Sequence, residues 1–307
     1  MTVLTVTLNA AIDKRYDLPS VEIGQVRRIG RVLTSAGGKG LNVARSAQLC
    51  GQPVVVTGFV AGFAGDYVIG EVTREGMTEE FVRVAGETRT CINIIDDDGR
   101  STELLEPGVT VTEVDLTTLV ARFVGLLPQV EVVTLSGSAP NGCPDGVYVP
   151  LIEAARQAGK PVILDTSGAL LAAGLGARPM VVKPNREELS ALVGADLGDL
   201  ASVVAAGREL CHHGPQWVVV SLGGDGAVAI SADRAVQVVP PPVAVANAVG
   251  CGDVLVGGLA SGLANGLTVA AALPLAVRVS AAAAAHPQTG RFDPAYAETL
   301  SVEVRTL

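Results

Sequence analysis

The second half of the chain alternates short apolar runs with helical patterns. The runs are "VEVVTLSGS" (130–138), "PVILDTSG" (161–168), "PMVVKPN" (179–185) and "PQWVVVSLGGDG" (215–226). Each run is continuously apolar rather than alternating, which is typical of strands covered on both faces of a parallel sheet. Intervening stretches such as "REELSALVG" have helical periodicity. The pattern therefore predicts an α/β protein with a mostly parallel sheet and helices on both faces.

A polar side chain stands at the carboxyl end of each of these strands. The four residues are Ser136, Asp165, Lys183 and Ser221. Open α/β sheets place their ligands at that edge. The sequence therefore predicts that one edge of the sheet lines a binding site.

Two other regions, about 12–34 and 86–107, show a more polar, alternating pattern. In the second region "TCINIID" and "STELLEP" flank "DDGR", which is typical of a β-hairpin. These regions predict a small sheet that stands off the main sheet as a lid. Because no low-complexity linker or repeat divides the chain, we expect a single domain over 1–307 with a discontinuous lid.

Composition and charge narrow the classes of function. The chain has 307 residues, is 49% hydrophobic and carries a formal net charge of −9. Such an acidic chain without a run of like charge is a poor partner for nucleic acid or an anionic membrane. The N-terminal "MTVLTVTLNA" lacks a basic segment, and the apolar stretches are interrupted by polar residues, so neither a signal peptide nor a membrane span is expected.

Cysteine and histidine usage gives no metal-binding pattern. The five cysteines include no CxxC pair, and the three histidines lack the spacing of metal ligands. We therefore expect a reduced, cytoplasmic protein without structural zinc.

The stretch "NAVGCGDVLVGG" (247–258) runs from a glycine-rich turn into a helix. Glycines at a helix N-terminus allow an anion to approach the free backbone amides. Asp253 would repel that anion, but it suits a general base that takes a proton from an attacking hydroxyl while the amides hold the developing charge. The alternative is that Asp253 is an ordinary helix N-cap. Cys251 is expected to be only a small spacer, because no His or Lys beside it would lower its pKa.

The stretch "AGGKGLNVARSAQLCG" (36–51) is a second glycine turn that precedes a helix. Its glycines permit close backbone approach, Asn42 lies in the first helical turn, and Lys39 can meet a phosphate. It differs from a Walker A motif, because Lys39 is followed by Gly rather than Ser or Thr. The alternative is a plain glycine-rich loop with a solvated lysine.

Two further motifs allow both a functional and a structural interpretation. "SLGGDGAVAI" has a superficial dinucleotide-binding spacing, but "AVAIS" predicts a strand where that motif needs a helix. "KPNREEL" offers Lys183, Asn185 and Glu188 to a ligand, or it is a helix start with surface carboxylates.

Taken in order, these stretches resemble the PfkB/ribokinase family of carbohydrate kinases over nearly the whole chain. "GGKGLNVA" and "NAVGCGDVLVGG" resemble its two signatures, and "TLNAAID" (7–13) resembles the sugar-contact strand of its phosphosugar branch. "GETRTCINI" (86–94) is similar to the branch of 1-phosphofructokinase and tagatose-6-phosphate kinase. Three positions depart from the common pattern: Ala10, Ala248 and Cys251.

The resemblance implies a ribokinase-like α/β fold with a β-lid, and an ATP- and Mg²⁺-dependent kinase that phosphorylates a ketohexose phosphate. It implies that Asp253 is the base, with the amides of Gly250, Cys251 and Gly252 as the anion hole. It also implies a homodimer that pairs through the lid. Fructose 1-phosphate, tagatose 6-phosphate and fructose 6-phosphate all remain candidate substrates, and an unphosphorylated sugar is the alternative within the family.

The implied substrate residues form two groups. Those for the sugar hydroxyls are Asp13, Gly38 and Asn42, with Ser138 as a further substrate contact. Those for the sugar phosphate are Lys39 and Arg89, with Arg28 as a looser candidate.

The implied nucleotide residues lie at the ends of later strands. They are Lys183, Asn185, Glu188, Ser221, Gly223 and Gly226, and Glu188 would act on Mg²⁺ through water. Two other classes stay open, a non-catalytic sugar-phosphate sensor and a dinucleotide-dependent oxidoreductase. The intact Asp253 argues against the first, and the absence of an acidic residue in "VQVVPPPV" argues against the second.

Overall fold

The computed structural model describes all residues, 1–307. The strands, in chain order, are β1 (Val3–Thr7), β2 (Ala11–Asp17), β3 (Val32–Gly37), β4 (Val54–Val60), β5 (Thr78–Glu79), β6 (Val82–Arg83), β7 (Arg89–Ile95), β8 (Ser101–Leu105), β9 (Val132–Ser136), β10 (Val162–Asp165), β11 (Val181–Val182), β12 (Trp217–Ser221), β13 (Ala227–Ile230), β14 (Ala235–Val239) and β15 (Glu303–Thr306).

The helices connect these strands. They are α1 (Lys39–Leu49), α2 (Gly62–Arg74), α3 (Glu113–Leu126), α4 (Val149–Gln157), α5 (Gly168–Leu175), α6 (Arg186–Val193), α7 (Leu200–His212), α8 (Cys251–Ala264), α9 (Val269–Ala284) and α10 (Pro294–Thr299). Short 3₁₀ turns cover Leu127–Gln129 and Gly223–Asp225.

Eleven strands form one sheet in the order β15-β14-β13-β12-β11-β10-β9-β1-β4-β5, with β6 also paired to β4. The strands from β5 to β12 along this order pair in parallel, and β13, β14 and β15 extend the sheet antiparallel. The predicted fold class is confirmed. The continuous apolar runs correspond to β9, β10, β11 and β12, and "AVAI" is a strand, β13.

Alternate residues of the central strands point into different hydrophobic clusters. In β1, Leu4 and Val6 pack in one cluster and Val3 in the other. Residues of α3 to α7 contribute to the first cluster, and residues of α1, α2, α8 and α9 contribute to the second. Burial of apolar surface stabilises a fold by roughly 25 cal/mol per Å². The burial of these two clusters is therefore the main force that holds both helix layers on the sheet. This double coverage explains why the strand sequences are apolar throughout.

A separate four-stranded sheet, here called the lid, has the order β3-β2-β7-β8. The predicted hairpin is present as β7 and β8, which pair antiparallel from Cys91 with Leu105 to Ile95 with Ser101. The predicted first segment is only partly correct. The strands cover Ala11–Asp17 and Val32–Gly37, and residues 18–31 form no strand because they are largely exposed and have no partner that would complete a ladder.

The helices α1 and α8 cross at very short distance on one face of the main sheet. A Cβ atom added at Gly257 of α8 would lie 1.6 Å from Ser46 Oγ and 2.7 Å from Val43 O of α1. Only glycine permits this approach without a shift of one helix. Since α1 begins at the first glycine turn and α8 at the second, the contact fixes the relative position of the two turns.

We expect Gly257→Ala to lower the free energy of unfolding by about 1–3 kcal/mol, because the added methyl group overpacks the α1–α8 contact. Urea denaturation measures this change. Gly70→Ala is the matched control, since Gly70 lies in α2 and a methyl group added there would have no neighbouring atom within 4 Å. That control should be neutral or stabilising by up to about 1 kcal/mol, and equal losses in both variants would contradict the packing argument.

Candidate active site

A cleft of about 850 Å³ lies between the carboxyl edge of the main sheet and the lid. The polar strand-end residues predicted to line a site are all in its wall, apart from Asp165, which lies directly behind the two lysines described below. Both glycine turns and all four strands of the lid also contribute. The cleft therefore joins the two motifs that are far apart in sequence.

The second glycine turn opens α8 toward the cleft. Gly250 is the N-cap residue with a φ of 83°, and no side chain caps the helix. A Cβ at Gly250 would also lie 2.6 Å from Thr289 Cγ2, so both the backbone angle and the space require glycine. Gly250 and Gly252 line the cleft. The first-turn amides have no acceptor within the helix and are suited to an anion.

The Asp253 side chain is only 6% exposed and lies beside the first helical turn of α1. Asn42 Nδ2 donates a hydrogen bond of 2.9 Å to Asp253 Oδ2. The alternative of an ordinary N-cap is wrong, because Gly250 occupies the N-cap position and Asp253 makes no capping bond.

The pKa of Asp253 is raised to about 7, first by burial and then by the nearby Asp165 carboxylate. Lys39, the Asn42 hydrogen bond and Lys183 act in the opposite direction. A carboxyl group with a pKa near neutrality is well matched to proton transfer at physiological pH.

Lys183 and Lys39 form a cationic pair around the buried Asp165. Lys183 Nζ lies 3.2 Å from Asp165 Oδ1, and Lys39 Nζ lies 3.9 Å from the same oxygen. Asp165 raises the pKa of Lys39, which keeps that ammonium charged. The Lys39 side chain is 42% exposed, so it can still meet a phosphate in the cleft. The sequence placed Lys39 at the sugar phosphate, whereas its neighbours in the structure are Asp165, Asp253 and Glu188.

Asp13 of β2 lies on the other side of the first glycine turn. A Cβ at Gly37 would lie 2.0 Å from Asp13 Cγ, and the backbone amide of Gly38 donates to the carboxylate. Burial raises the pKa of Asp13, while Arg45 and Arg89 act to lower it. Asp13, Gly38 and Asn42 all line the cleft, so the predicted sugar residues are brought together.

Arg89 begins β7 of the lid and reaches to the end of β1. Its Nη2 donates 3.0 Å to Asn9 O, and its Nη1 donates 3.2 Å to Glu106 O. The Asn9 amide in turn donates to Ser138 Oγ at 3.5 Å. Arg89 Nε is buried and has no acceptor. Arg89 and Ser138 are therefore linked through Asn9 in the cleft wall, and the second N–H groups of Arg89 Nη1 and Nη2 are left for a ligand.

Arg28 is placed differently from its prediction. It lies in the exposed segment 18–31, outside the lid strands, and does not line the cleft of its own chain. The sequence could not predict the position of Arg28, because residues 18–31 are in no strand and no sheet register fixes them.

The "KPNREEL" motif is both a helix start and part of the cleft wall. Asn185 caps α6 by accepting from the Glu188 amide at 2.7 Å, and Glu188 Oε2 accepts from the Asn185 amide at 2.9 Å. Both residues also line the cleft, as do Lys183 and Ser221. The capping box therefore fixes the Glu188 carboxylate at the cleft wall.

Gly223 and Gly226, which were predicted to lie along the nucleotide, do not line the cleft. Gly223 is exposed in a 3₁₀ turn. Gly226 is buried with a φ of 80°, and a Cβ there would lie 2.0 Å from Val238 O. Its role is to let the β12–β13 hairpin turn close against β14.

Cys251 behaves as the predicted spacer. Its thiol donates weakly to Asn247 O at 3.7 Å. Burial raises the pKa of Cys251 to about 11, which keeps it a thiol.

The sequence did not single out a buried ion cluster that lies behind the predicted sugar residues. It consists of Arg45 on α1, Glu75 after α2 and Arg291 near the C-terminus. Arg45 follows Asn42 by three positions in an otherwise small and apolar helix, and that position was the available signal.

No group of three or more His, Cys, Asp and Glu side chains is arranged to hold a metal ion. None of the helices is both long enough and apolar enough to cross a membrane.

Several solved structures share this architecture. Phosphofructokinase-2 from Escherichia coli in complex with potassium is 28% identical, with 96% of each chain covered and a TM-score of 0.89. Other structures of that enzyme contain fructose-6-phosphate or show a tetrameric inhibited form. A Thermotoga maritima protein named "possible 1-phosphofructokinase" is 28% identical over 99% of this chain and 100% of its own, with a TM-score of 0.88.

A more distant structure shares the fold alone. Ribokinase from Arabidopsis thaliana, complexed with ribose and ATP, is 21% identical over 97% of each chain, with a TM-score of 0.78. The model for pfkB family carbohydrate kinases matches residues 6–295. The chain therefore belongs to the pfkB family of carbohydrate kinases and is an ATP-dependent sugar kinase with a ribokinase-like fold.

Proposed function

We propose that this kinase transfers the γ-phosphoryl group of ATP to a hydroxyl of a ketohexose phosphate, giving the 1,6-bisphosphate. Fructose 1-phosphate, tagatose 6-phosphate and fructose 6-phosphate are the candidate acceptors. The observation that carries the proposal is Asp253, a buried carboxylate at the open N-terminus of α8 with its pKa raised to about 7. It lies where the sugar residues of the first glycine turn meet the lysines of the sheet edge.

The proposed reaction is a direct displacement. Asp13 and Asn42 hold the sugar so that one hydroxyl faces Asp253. The hydroxyl oxygen attacks the γ-phosphorus as Asp253 accepts its proton, and the bond to the leaving ADP oxygen breaks. The amides of Gly250 to Gly252, with Lys39 and Lys183, stabilise charge on the phosphoryl oxygens. Such positioning and charge neutralisation supply most of the catalysis in phosphoryl transfer.

The chain's residues fit Mg²⁺ as a companion of ATP rather than as a resident ion. Glu188 presents a carboxylate at the cleft wall, but one oxygen already accepts from the Asn185 amide. It would hold Mg²⁺ through water, while the nucleotide phosphates supply the other ligands. When bound, the ion neutralises phosphate charge.

We propose that the whole chain works as one kinase domain whose lid closes over the sugar and excludes water, which limits ATP hydrolysis.

We propose that the protein works in a reducing compartment such as the cytoplasm, in keeping with its five free cysteines.

Asp253→Asn tests the base. The substitution keeps the shape and the contact with Asn42 but removes proton acceptance, so kcat should fall by about 10²-fold or more with little change in KM. Steady-state kinetics with a coupled ADP assay measures this. Asp145→Asn, at an exposed carboxylate outside the cleft, is the matched control. An Asp253→Asn enzyme with a third of the wild-type kcat would remove Asp253 from the chemistry.

Arg89→Ala tests recognition of the sugar phosphate. One charge-assisted contact is worth about 1.5–3 kcal/mol, so KM for the phosphosugar should rise by about one to two decades. KM for ATP should hardly move, because Arg89 is held by the lid and the end of β1. Arg100→Ala, another lid arginine outside the cleft, should leave both constants unchanged.

The same assays separate a phosphosugar kinase from a kinase of free sugars. Wild-type enzyme should use free fructose or tagatose poorly, since those substrates leave Arg89 unpaired in a closed cleft. Equal kcat/KM for free ketohexose and its phosphate would contradict the phosphate site and favour the free-sugar alternative.

We propose that two chains pair through their lids. The lid strands expose Val32, Leu104 and Leu105, and residues 18–31, which connect β2 and β3, expose Ile23 and Val26. So much exposed apolar surface in one region is unusual for a monomer. We expect sedimentation equilibrium to give a dimer at micromolar concentration and Leu104→Lys to give a monomer. Val114→Lys, which changes a still more exposed apolar residue on α3, outside the lid, should stay dimeric. A fully active wild-type monomer would contradict the shared lid.

A further inference from the structure

Arg45 makes more contacts than a structural ion pair needs. It lies on α1 one turn after Asn42, and its side chain is only 3% exposed. Its Nε donates 2.8 Å to Glu75 Oε2, and its Nη2 donates to Ala36 O. Its Nη1 donates 3.3 Å to Asn42 Oδ1. A planar guanidinium can satisfy three such acceptors at fixed angles, which an ammonium cannot do.

The last of these contacts sets the orientation of the Asn42 amide. The two ends of a carboxamide have nearly the same shape, so hydrogen-bond partners decide which end faces which neighbour. Arginine has no acceptor, so the Asn42 oxygen must face Arg45. The amide nitrogen then faces Asp253, to which it donates at 2.9 Å.

We propose that Arg45 is a positioning residue that holds the Asn42 amide in the orientation in which it donates to the Asp253 carboxylate. The proposal rests on the proposed role of Asp253 as the base. Glu75, which is also paired with Arg291, fixes the guanidinium from behind. The effect of Arg45 thus reaches Asp253 through one side chain.

The same guanidinium also acts on the second carboxylate of the sugar site. Arg45 is the foremost of the charges that lower the pKa of Asp13. It also anchors the carbonyl of Ala36, next to the glycine that packs on the Asp13 carboxylate. One buried cation therefore organises both acidic groups that face the sugar.

The direction of the effect on Asp253 follows from its surroundings. Burial and Asp165 raise its pKa, whereas Lys39, Lys183 and the Asn42 hydrogen bond lower it. Without Arg45 the amide can turn and present its oxygen, which can bond only to protonated Asp253. The pKa of Asp253 should then rise further, and a base that must be ionised should lose activity at a higher pH.

The test is Arg45→Met, with the Asp253 titration followed by carboxyl ¹³C NMR of aspartate-labelled protein and assigned with Asp253→Asn. We expect the titration to move upward by about one pH unit, the size of a lost hydrogen bond to a charged group. The acidic limb of the kcat/KM profile, which reports the free enzyme, should move equally, with kcat/KM recovering at high pH. The acceptor is fructose 1-phosphate or fructose 6-phosphate, whichever wild-type enzyme uses faster. An unchanged titration overturns the proposal.

Two control variants separate positioning from stability. Glu75→Gln removes the negative charge of the ion cluster but keeps an acceptor oxygen for Arg45 Nε, so Arg45 stays beside Asn42. Tm should then fall while the Asp253 titration stays in place. Arg45→Lys keeps a cation opposite Glu75 but loses the planar set of guanidinium donors. This variant replaces Arg45→Met in the test if Arg45→Met does not fold. It should show the same upward shift. Equal shifts in Glu75→Gln and the Arg45 variants would overturn the proposal.

A double-mutant cycle identifies the route of the effect. If Arg45 acts through the amide, Arg45→Met should shift the titration no further in an Asn42→Ala background. A shift that persists there would mean that Arg45 acts by its charge alone and would overturn the proposal. The base assignment is judged separately, because Asp253→Asn turnover tests the base and NMR tests the amide whether or not the enzyme turns over.

Discussion

The close contact between α1 and α8 is the constraint on which the cleft depends. Gly257 allows the two helices to approach until Ser46 and Val43 touch the α8 backbone. Because each helix begins at one of the glycine turns, this contact places Asn42 within hydrogen-bond distance of Asp253. A shift between the helices would separate Asn42 from Asp253. The two glycine turns, which we propose to hold the sugar and the phosphoryl group, are therefore aligned by helix packing in the core.

The cleft balances buried charges of opposite sign rather than excluding them. Asp253 and Asp165 lie close enough to raise the pKa of Asp253, and Lys39 and Lys183 offset part of that repulsion. Removing one member of such a set leaves its partner desolvated and unpaired, which costs more than the pair contributed. The Asp165 carboxylate can still accept further hydrogen bonds, since neither of its oxygens accepts one of good geometry.

Sequence periodicity predicted the parallel sheet, its site-bearing edge and the lid hairpin, because those features follow from local patterns of apolar residues. The two glycine motifs predicted which turns face the cleft. Two residues lie away from the cleft for different reasons. Gly226 lies in a turn whose surroundings are set by the distant Val238 O, and Arg28 lies in an exposed segment that no sheet register fixes. The sequence did not single out Arg45, because its ion-pair partner Glu75, which also pairs with Arg291, is remote from it in sequence.

The order of the lid strands has a consequence for how the molecule folds. The central pair, β2 and β7, is parallel and joins Ala11 with Arg89, so all of α1, β4 and α2 lies between the partners. Closing so long a loop costs entropy before the pairing is rewarded, and such non-local pairings form late. The helix α2 of that intervening segment contacts both β2 and β3 of the lid. The register of the lid therefore depends on the packing of the whole segment, and a change that loosens α2 should also loosen the pairing of β2 with β7.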